Sequence, residues 1–385
     1  MELTEFIFWL IPGALFQLFG FGRWMTSVAP WLAPVCFLHF AHHMPPLAGM
    51  LWIWLAAALV LAICLRGIVP IPGIAYLILP VVWGLFSSLP FAADRLIAPH
   101  IPGFWSTLIF PVAWTACEFI GARANPYGSW GATGYTQHGV LPLMQLASVA
   151  GVWGIGFVIA WFASVANWCW SLQFEWALIR HGVLIYFGIT LAILLWGGLR
   201  IALAPARETV RIAGIGWPRG IIEPQEFIRA VMPDMTGAER VKLNDAFKRI
   251  QDSFLARSER EARARAKIIV WPEANLIVFH DEEAGFVERA RLLAREHGVY
   301  LLMGLATLYP VERHTFRNHA LLLTPQGDTA FDYTKTTAVP GFEKQYGKPG
   351  DKPIPFADTA YGRTARRSVS TWISTRSSAR LDEAA

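Results

Sequence analysis

Charged side chains are scarce in this chain. Asp, Glu, Lys and Arg make up 16% of its 385 residues, whereas 54% are hydrophobic. Soluble globular domains carry about 25% charged residues, so this composition excludes an ordinary soluble protein and indicates a membrane protein. Cysteine is also rare: the chain has four, and none follows Cys169.

The shortage of charge is confined to the first half of the chain. Up to residue 204, windows of about 20 apolar residues recur between short polar gaps, which predicts a transmembrane helical bundle of about seven spans in a lipid bilayer. The pattern is weakest at the second span, because Pro30, Pro34 and His39 interrupt it. The predicted spans are residues 6–22, 27–40, 50–65, 74–92, 104–120, 150–170 and 183–203.

The loops do not fix the orientation of this bundle. Their arginines are spread almost evenly over both sides, so the positive-inside rule does not decide which side faces the cytoplasm. The first span follows "MELTE", which carries acids rather than Lys or Arg, and no small-residue cleavage site follows it. We therefore expect this span to stay as an anchor rather than to be removed as a signal peptide.

Residues 207–363 have the pattern of an α/β domain. The strand "TVRIAGIGW" is followed by a charged helix, "AERVKLNDAFKRIQDSFLARSEREARARAK", and by the strand "IIVWPE". A second helix, the strand "VYLLMGLAT" and the hairpin "FRNHALLLTPQGDTAFDYTK" come next. The basic side chains of the long helix are interpreted as a solvated face, so no direct nucleic-acid binding is expected. One apolar stripe on this helix should face the core: Leu243, Phe247, Ile250 and Phe254.

Two residues of opposite charge end strands of this domain. Glu273 follows "IIVWP", and Lys335 ends the hairpin. A buried carboxylate beside a lysine can transfer protons and hold a developing oxyanion. Spacing alone favours the alternative, a structural ion pair at the edge of the sheet.

Several segments resemble known motifs. "VWPEANL", "FRNHALLLTPQGD", "YTKTTAVPGFE" and "KPGDKPIPFADTAYGR" resemble, in order, the motifs of the nitrilase (carbon-nitrogen hydrolase) superfamily, whose members use Glu, Lys and Cys. In the apolar half, "PVAWTACEFIGARANPYGSWGATGYTQHGVLPLMQLASVAGVWGIGFVIAW" is similar to a stretch of the apolipoprotein N-acyltransferases. The resemblance implies a membrane bundle followed by a nitrilase-like α/β sandwich, incomplete at its C-terminus.

The resemblance also implies roles for three residues. Glu273 would be the general base, Lys335 would stabilise the tetrahedral oxyanion, and Glu343 matches a second, supporting acid. It implies no cofactor and no metal. The nucleophilic Cys expected after "TAYGR" is missing. The four cysteines lie in predicted spans, where a free thiol is usually a small buried hydrophobe: Cys36, Cys64, Cys117 and Cys169.

The segment after the last motif breaks the pattern. Residues 364–385, "TARRSVSTWISTRSSARLDEAA", are rich in Ser, Thr and Arg without β periodicity. We interpret this aberrant tail as the product of out-of-frame translation. Sequencing of the gene tests the hypothesis, because a shifted frame should encode a strand with a Cys and a further apolar span.

The sequence allows three functions. The compact segment between the Lys and Cys motifs resembles the TraB-type plasmid conjugal transfer proteins, which implies the conjugation machinery as a partner. The missing nucleophilic Cys predicts that the site is catalytically inactive. The alternatives are an apolipoprotein N-acyltransferase with a lipid or acyl substrate, and a non-catalytic membrane scaffold. The family implies the inner membrane, with the α/β domain in the periplasm.

Polar groups within the apolar half suggest two smaller features. "LHFAHHMPP" holds His39, His42 and His43, which could ligate a metal, but an interfacial histidine cluster is favoured because no acid or thiol with ligand spacing lies nearby. Glu118 is an acid inside a span and is therefore a candidate functional residue, with Arg123 as the partner of an alternative structural ion pair.

Overall fold

The computed structural model describes most of the chain as two units, one comprising residues 1–206 and the other residues 207–385. The described residues are 3–66, 74–124, 128–205, 209–216, 229–230, 235–309, 315–336, 338, 342–350 and 353–365. Each unit is considered separately below.

The first unit is helical. Within its described residues, five helical stretches are long and apolar enough to cross a membrane. Their α-helices are α3 (Pro46–Leu65), α4 (Ala75–Ile97), α5 (Ile109–Ala124), α7 (Ala147–Ser171) and α8 (Trp176–Ala202). A 3₁₀ turn, Gly103–Leu108, precedes α5 and extends it to 22 residues. A short helix, α6 (Leu141–Met144), precedes α7.

Two shorter apolar helices precede these five. They are α1 (Leu3–Leu18), which contains the π-helical turn Phe6–Leu10, and α2 (Ala29–His43). At about 1.5 Å per residue, 15 residues of α-helix do not reach across a hydrocarbon core of about 30 Å. Five predicted spans thus coincide with long helices and two with shorter ones, and the count of about seven crossings stays a prediction.

The second unit is an α/β domain with a mixed sheet of order β1-β2-β4-β5-β6, in which β3 also pairs with β4. The first four strands are β1 (Ile212–Gly214), β2 (Ile268–Val270), β3 (Leu276–Phe279) and β4 (Tyr300–Leu308). Their pairings are parallel. The predicted hairpin is confirmed as β5 (Phe316–Leu323) and β6 (Thr329–Thr334), which pair antiparallel.

Two helices pack on this sheet. The long helix α9 (Gly237–Arg263) begins with a capping box, in which Thr236 and Glu239 bond each other's backbone N–H. The apolar stripe predicted on α9 is confirmed, since its four residues are buried. The second helix, α10 (His280–His297), ends at Gly298 with φ 59°, a left-handed conformation that favours glycine.

Short elements complete the described part of the unit. They are helix α11 (Phe342–Tyr346) and the two-stranded hairpin of β7 (Phe356–Thr359) and β8 (Gly362–Ala365). The sequence "TAYGR" thus lies at the turn and start of β8. The predicted aberrant tail lies outside the described residues from residue 366 onward.

Candidate active site

Glu273 lies in a break between two strands that share one neighbour. Strand β2 pairs with β4 at Tyr300–Leu302, and β3 pairs with the same strand at Leu305–Leu308. Ala274, the residue after Glu273, has φ 51°, which is an unfavourable conformation for a side chain with a Cβ. The side-chain amide of Asn275 donates from Nδ2 to the backbone carbonyl of Glu273 at 3.0 Å. The break therefore turns the chain out of the sheet at the acid.

Lys335 is held by its backbone at the end of β6. Its N–H donates to the Asn318 carbonyl at 2.9 Å, and its carbonyl accepts from the N–H of Gly350 at 2.9 Å. A Cβ on Gly350 would lie 2.2 Å from the carbonyl oxygen of Thr334, so this close approach requires glycine. The segment after α11 thereby fixes the backbone of the lysine.

The three residues predicted from the motifs lie together. Lys335 Nζ is 2.9 Å from Glu273 Oε1 and 2.6 Å from Glu343 Oε2. The lysine side chain is 7% exposed, against 25% for Glu273 and 13% for Glu343. One buried ammonium thus faces two carboxylates, and Glu273 is the acid more open to solvent.

Asn318 joins the two acids, a role that the sequence did not indicate. Its Nδ2 amide donates to Glu273 Oε1 at 2.9 Å and to Glu343 Oε1 at 2.8 Å. Both amide hydrogens are thus used within the cluster. The signal in the sequence was an amide in a predicted strand that continues into the apolar run 320–323, since a polar side chain buried in a sheet requires partners.

This arrangement suits chemistry at a carbonyl carbon. Glu273 can accept a proton from a nucleophile, and Lys335 can stabilise negative charge that develops on an oxygen. An ammonium has three N–H donors, and within the described residues two of them bond the carboxylates. The third is then available for an oxyanion.

The four thiols lie in the helical unit. Cys36, Cys64 and Cys169 are buried and Cys117 is half-buried, each within a helix. The α/β unit has no cysteine in its sequence. The structure therefore gives the acid and lysine positions of the predicted triad, while the unit that holds them supplies no thiol.

A second polar cluster of the α/β unit lies on the neighbouring residue of β5. The His319 ring bonds Thr307 Oγ1 at 2.9 Å and Asp332 Oδ1 at 2.7 Å, and Arg317 also contacts Asp332 at 2.8 Å. Burial alone would raise the pKa of Asp332, but the hydrogen bond and charge of His319 and Arg317 outweigh it and lower this pKa. Because Thr307 and the His319 side chain are fully buried, this cluster stabilises the sheet rather than receiving a substrate.

Glu118, the acid inside a predicted membrane span, bonds a neutral residue. Glu118 Oε1 accepts from the backbone N–H of Thr133 at 2.8 Å and from its hydroxyl at 2.7 Å. The Arg123 guanidinium lies over the Phe119 ring, 4.4 Å from its centroid. The described contacts therefore join Glu118 to Thr133 rather than to Arg123.

Comparisons with known families agree with this division of the chain. Residues 6–165 match the apolipoprotein N-acyltransferase N-terminal domain. Residues 245–373 match the carbon-nitrogen hydrolase family, and this range contains the whole acid and lysine cluster. The two matches fall in different units.

The related proteins include two apolipoprotein N-acyltransferases. The protein of Geobacter metallireducens is 26% identical over 60% of this chain and 42% of its own length. That of Bradyrhizobium diazoefficiens is 27% identical over 69% of this chain and 48% of its own length. The chain spans about half the length of these curated relatives. A solved amidase from Nesterenkonia sp. is similar at 19% identity and TM-score 0.29, over 42% of this chain and 56% of the amidase.

These family matches bear on both units. The five long apolar helices and the acyltransferase relatives indicate a multi-pass protein of the inner membrane. The chain resembles the apolipoprotein N-acyltransferases, since it joins a stretch similar to their N-terminal domain to a stretch similar to the carbon-nitrogen hydrolase (nitrilase) family.

Proposed function

We propose that the chain is an acyltransferase-like membrane protein whose α/β unit holds a general base and an oxyanion-stabilising lysine. In this proposal Glu273 is the base, Lys335 stabilises the oxyanion, and Glu343 with Asn318 positions them. The observation that supports it is the contact of one buried ammonium with two carboxylates, at 2.9 and 2.6 Å. The substrate class suggested by the relatives is a lipid acyl group and an amine acceptor.

We also propose that these 385 residues alone do not catalyse acyl transfer. The covalent route of acyl transfer needs a nucleophile whose attack creates the oxyanion, and the α/β unit has no thiol. In a well-studied serine hydrolase, loss of the nucleophile removes about a millionfold of the rate. Glu273 then has no nucleophile proton to accept, and Lys335 has no oxyanion to stabilise.

An acyltransferase-like role is favoured over a role in conjugal transfer. The relatives named above are apolipoprotein N-acyltransferases, whereas the TraB-type role rests on the sequence resemblance of the compact segment. Conjugation machinery as a partner, and the periplasmic side for the α/β unit, stay predictions. A reporter fused after Arg207 that is active only in the cytoplasm would contradict the periplasmic side.

A transfer assay tests the proposal. The purified chain in detergent is incubated with an alkyne-tagged phospholipid and a diacylglyceryl peptide, and the labelled peptide is measured by mass spectrometry. We expect no transfer and no thioester, and Glu273→Gln should leave this result unchanged. An acyl group trapped on any of the four membrane cysteines, or transfer that Glu273→Gln abolishes, would show that the 385 residues are active.

A binding measurement tests the role of the lysine in a chain that is expected to show no turnover. An aldehyde analogue of the acyl group places its carbonyl oxygen where an oxyanion would form, so its affinity should fall about tenfold or more when Lys335→Met removes the donor. Glu239→Gln serves as the control, since Glu239 belongs to the capping box of α9. Equal affinity in the parent chain and Lys335→Met would contradict the proposed role of the lysine.

A further inference from the structure

The helical unit holds a cluster of possible metal ligands in which an acid joins two of the histidines of the "LHFAHHMPP" segment. Glu5 of α1 and the pair His39 and His43 of α2 offer ligand atoms that all lie within 4.8 Å of one another. The two histidines are one helical turn apart, so their rings share one face of α2. The sequence favoured a cluster without metal because no acid stands nearby in the chain, and it is the packing of α1 against α2 that brings Glu5 to the histidines.

The hydrogen bond of the His43 ring is that of a metal-ligating histidine. His43 Nδ1 bonds the backbone carbonyl of His39 at 2.8 Å, so the proton lies on Nδ1 and Nε2 keeps a lone pair. Such outer partners orient ligating imidazoles. The His39 ring is positioned by stacking on the His43 ring, with 4.0 Å between their centroids.

Glu5 supplies an independent sign of a missing ligand. Its Oε2 is buried and, among the residues that the structure describes, has no hydrogen-bond partner. Burial of a carboxylate oxygen without a hydrogen-bond partner is unfavourable, because the oxygen loses its water and gains nothing in return. A cation bound by Glu5 and the histidines would remove that penalty.

The surroundings make a half-enclosed site. The Trp9 ring stacks on His39 at 3.8 Å, and the Trp170 ring meets His39 edge-on at 5.0 Å. His39 is buried, whereas His43 is exposed and leaves a path for an ion from the surface. Aromatic walls on one side and an opening on the other suit an ion that keeps one solvent ligand.

We propose that Glu5, His39 and His43 bind one divalent transition-metal ion of the zinc class. Two imidazoles and a carboxylate are ligands that Zn²⁺ accepts, and three protein ligands leave a fourth position for water. Metal–ligand bonds of about 2.1 Å would draw the three ligand atoms to about 3.4 Å from one another in a tetrahedral site. Because the His39 and His43 rings stack nearly parallel, with an interplanar angle of 23°, rotation of the His43 and Glu5 side chains would have to supply this contraction.

Cobalt binding tests the proposal, because Co²⁺ reports its coordination in visible absorption. The full chain, purified in detergent without a histidine tag and treated with a chelator, is titrated with Co²⁺ alone. We expect one equivalent to bind with the absorption of a four- or five-coordinate ion and to be displaced by Zn²⁺. Glu5→Gln and His43→Ala should each weaken Co²⁺ binding by about tenfold or more, because each removes one of the three protein ligands.

His42 provides the matched control on the same helix. Its Nε2 lies 2.8 Å from Asp94 Oδ2, outside the proposed ligand set, so His42→Ala should retain Co²⁺ affinity within about twofold. A variant that elutes as an aggregate is replaced by His43→Gln, which keeps a polar side chain. The proposal fails if no Co²⁺ binds at 1 mM (about the limit of a specific site), if Glu5→Gln and His43→Ala bind like the parent chain, or if thiolate charge-transfer bands place the ion on cysteines.

Discussion

Lys335 donates to Glu343 at 2.6 Å, from a side chain that is only 7% exposed. This contact is shorter than the 2.9 Å that separates the lysine from Glu273. Glu343 is also the more buried of the two acids. This geometry fits the proposed division of tasks, in which Glu343 is the counter-ion of the lysine and Glu273, the more exposed acid, is the base.

Replacement of the lysine should destabilise the α/β unit. In Lys335→Met the two carboxylates lose their shared cation, and removal of one partner of a buried ion pair lowers the free energy of unfolding by about 3–5 kcal/mol. Hydrogen exchange of β5 and β6 amides in the full chain measures this locally. Lys348→Met is the control, since Lys348 lies over the Tyr309 ring on the surface rather than between the acids. Similar exchange in both variants would contradict a buried ion-pair cluster.

Removal of the amide that joins the acids should also destabilise the site. Asn318→Ala removes one hydrogen-bond donor from each acid, although Glu273 Oε1 keeps its contact with Lys335, and we expect a loss of about 2–3 kcal/mol in the free energy of unfolding. Asn275→Ala removes a single hydrogen bond to the backbone carbonyl of Glu273 and should lower stability by no more than about 1.5 kcal/mol. Hydrogen exchange of β4 and β5 compares the two variants. Equal losses would mean that Asn318 does not act as a link between the acids.

Low pH should destabilise the sheet, because Asp332 becomes protonated. Its folded pKa lies below the unfolded value of about 3.9, so the ionised carboxylate favours the folded state above that value. This stabilisation is lost as the pH falls through the folded pKa. Asp332→Asn should therefore reduce the pH dependence of β5–β6 exchange between about pH 5 and pH 2, after correction for intrinsic exchange rates.

A second variant, His319→Gln, tests the same titration by removing the hydrogen-bond partner of Asp332. It should raise the folded pKa of Asp332 towards the unfolded value and flatten the same profile. Arg317 and Glu283 also contact this cluster, so some dependence on pH should remain. An unchanged profile in both variants would exclude Asp332 as the titrating group.

The sequence predicted those features that depend on local patterns. Hydropathy located the five long membrane helices, and spacing located the buried stripe of α9 and the hairpin of β5 and β6. The predicted strand that ends at Glu273 differs from the structure. The run around Glu273 was interpreted as one strand ending at the acid, whereas the structure has β2, a break and β3, because β4 is long enough to pair with both segments.

Contacts between distant segments were less predictable for a physical reason. Nothing near Asn318 in the chain indicates that it bonds Glu273 and Glu343, because those contacts follow from the pairing of β5 with β6 and the placement of α11. Glu5 meets His39 only through helix packing. Motif order predicted Glu273, Lys335 and Glu343 as a group, but it could not give their distances or the second partner of the lysine.

The backbone at Ala274 should control the position of Glu273. A φ of 51° costs an alanine about 1–2 kcal/mol relative to right-handed conformations, and glycine avoids that strain while it loses about 0.5–1 kcal/mol more in conformational entropy on folding. Ala274→Gly should therefore leave the free energy of unfolding unchanged or raise it by up to about 1 kcal/mol. Ala274→Val should lower it by about 1–2 kcal/mol, because a β-branched side chain is strained further at this φ.

Ala256 gives the opposite order and is the matched control for this prediction. It is exposed within the regular helix α9, where glycine costs about 1 kcal/mol relative to alanine and valine costs less. Ala256→Gly should thus lower stability more than Ala256→Val does. Hydrogen exchange of β4 measures the Ala274 variants, and exchange of α9 measures the Ala256 variants. If glycine is the more destabilising substitution at both positions, the left-handed turn does not govern the placement of the acid.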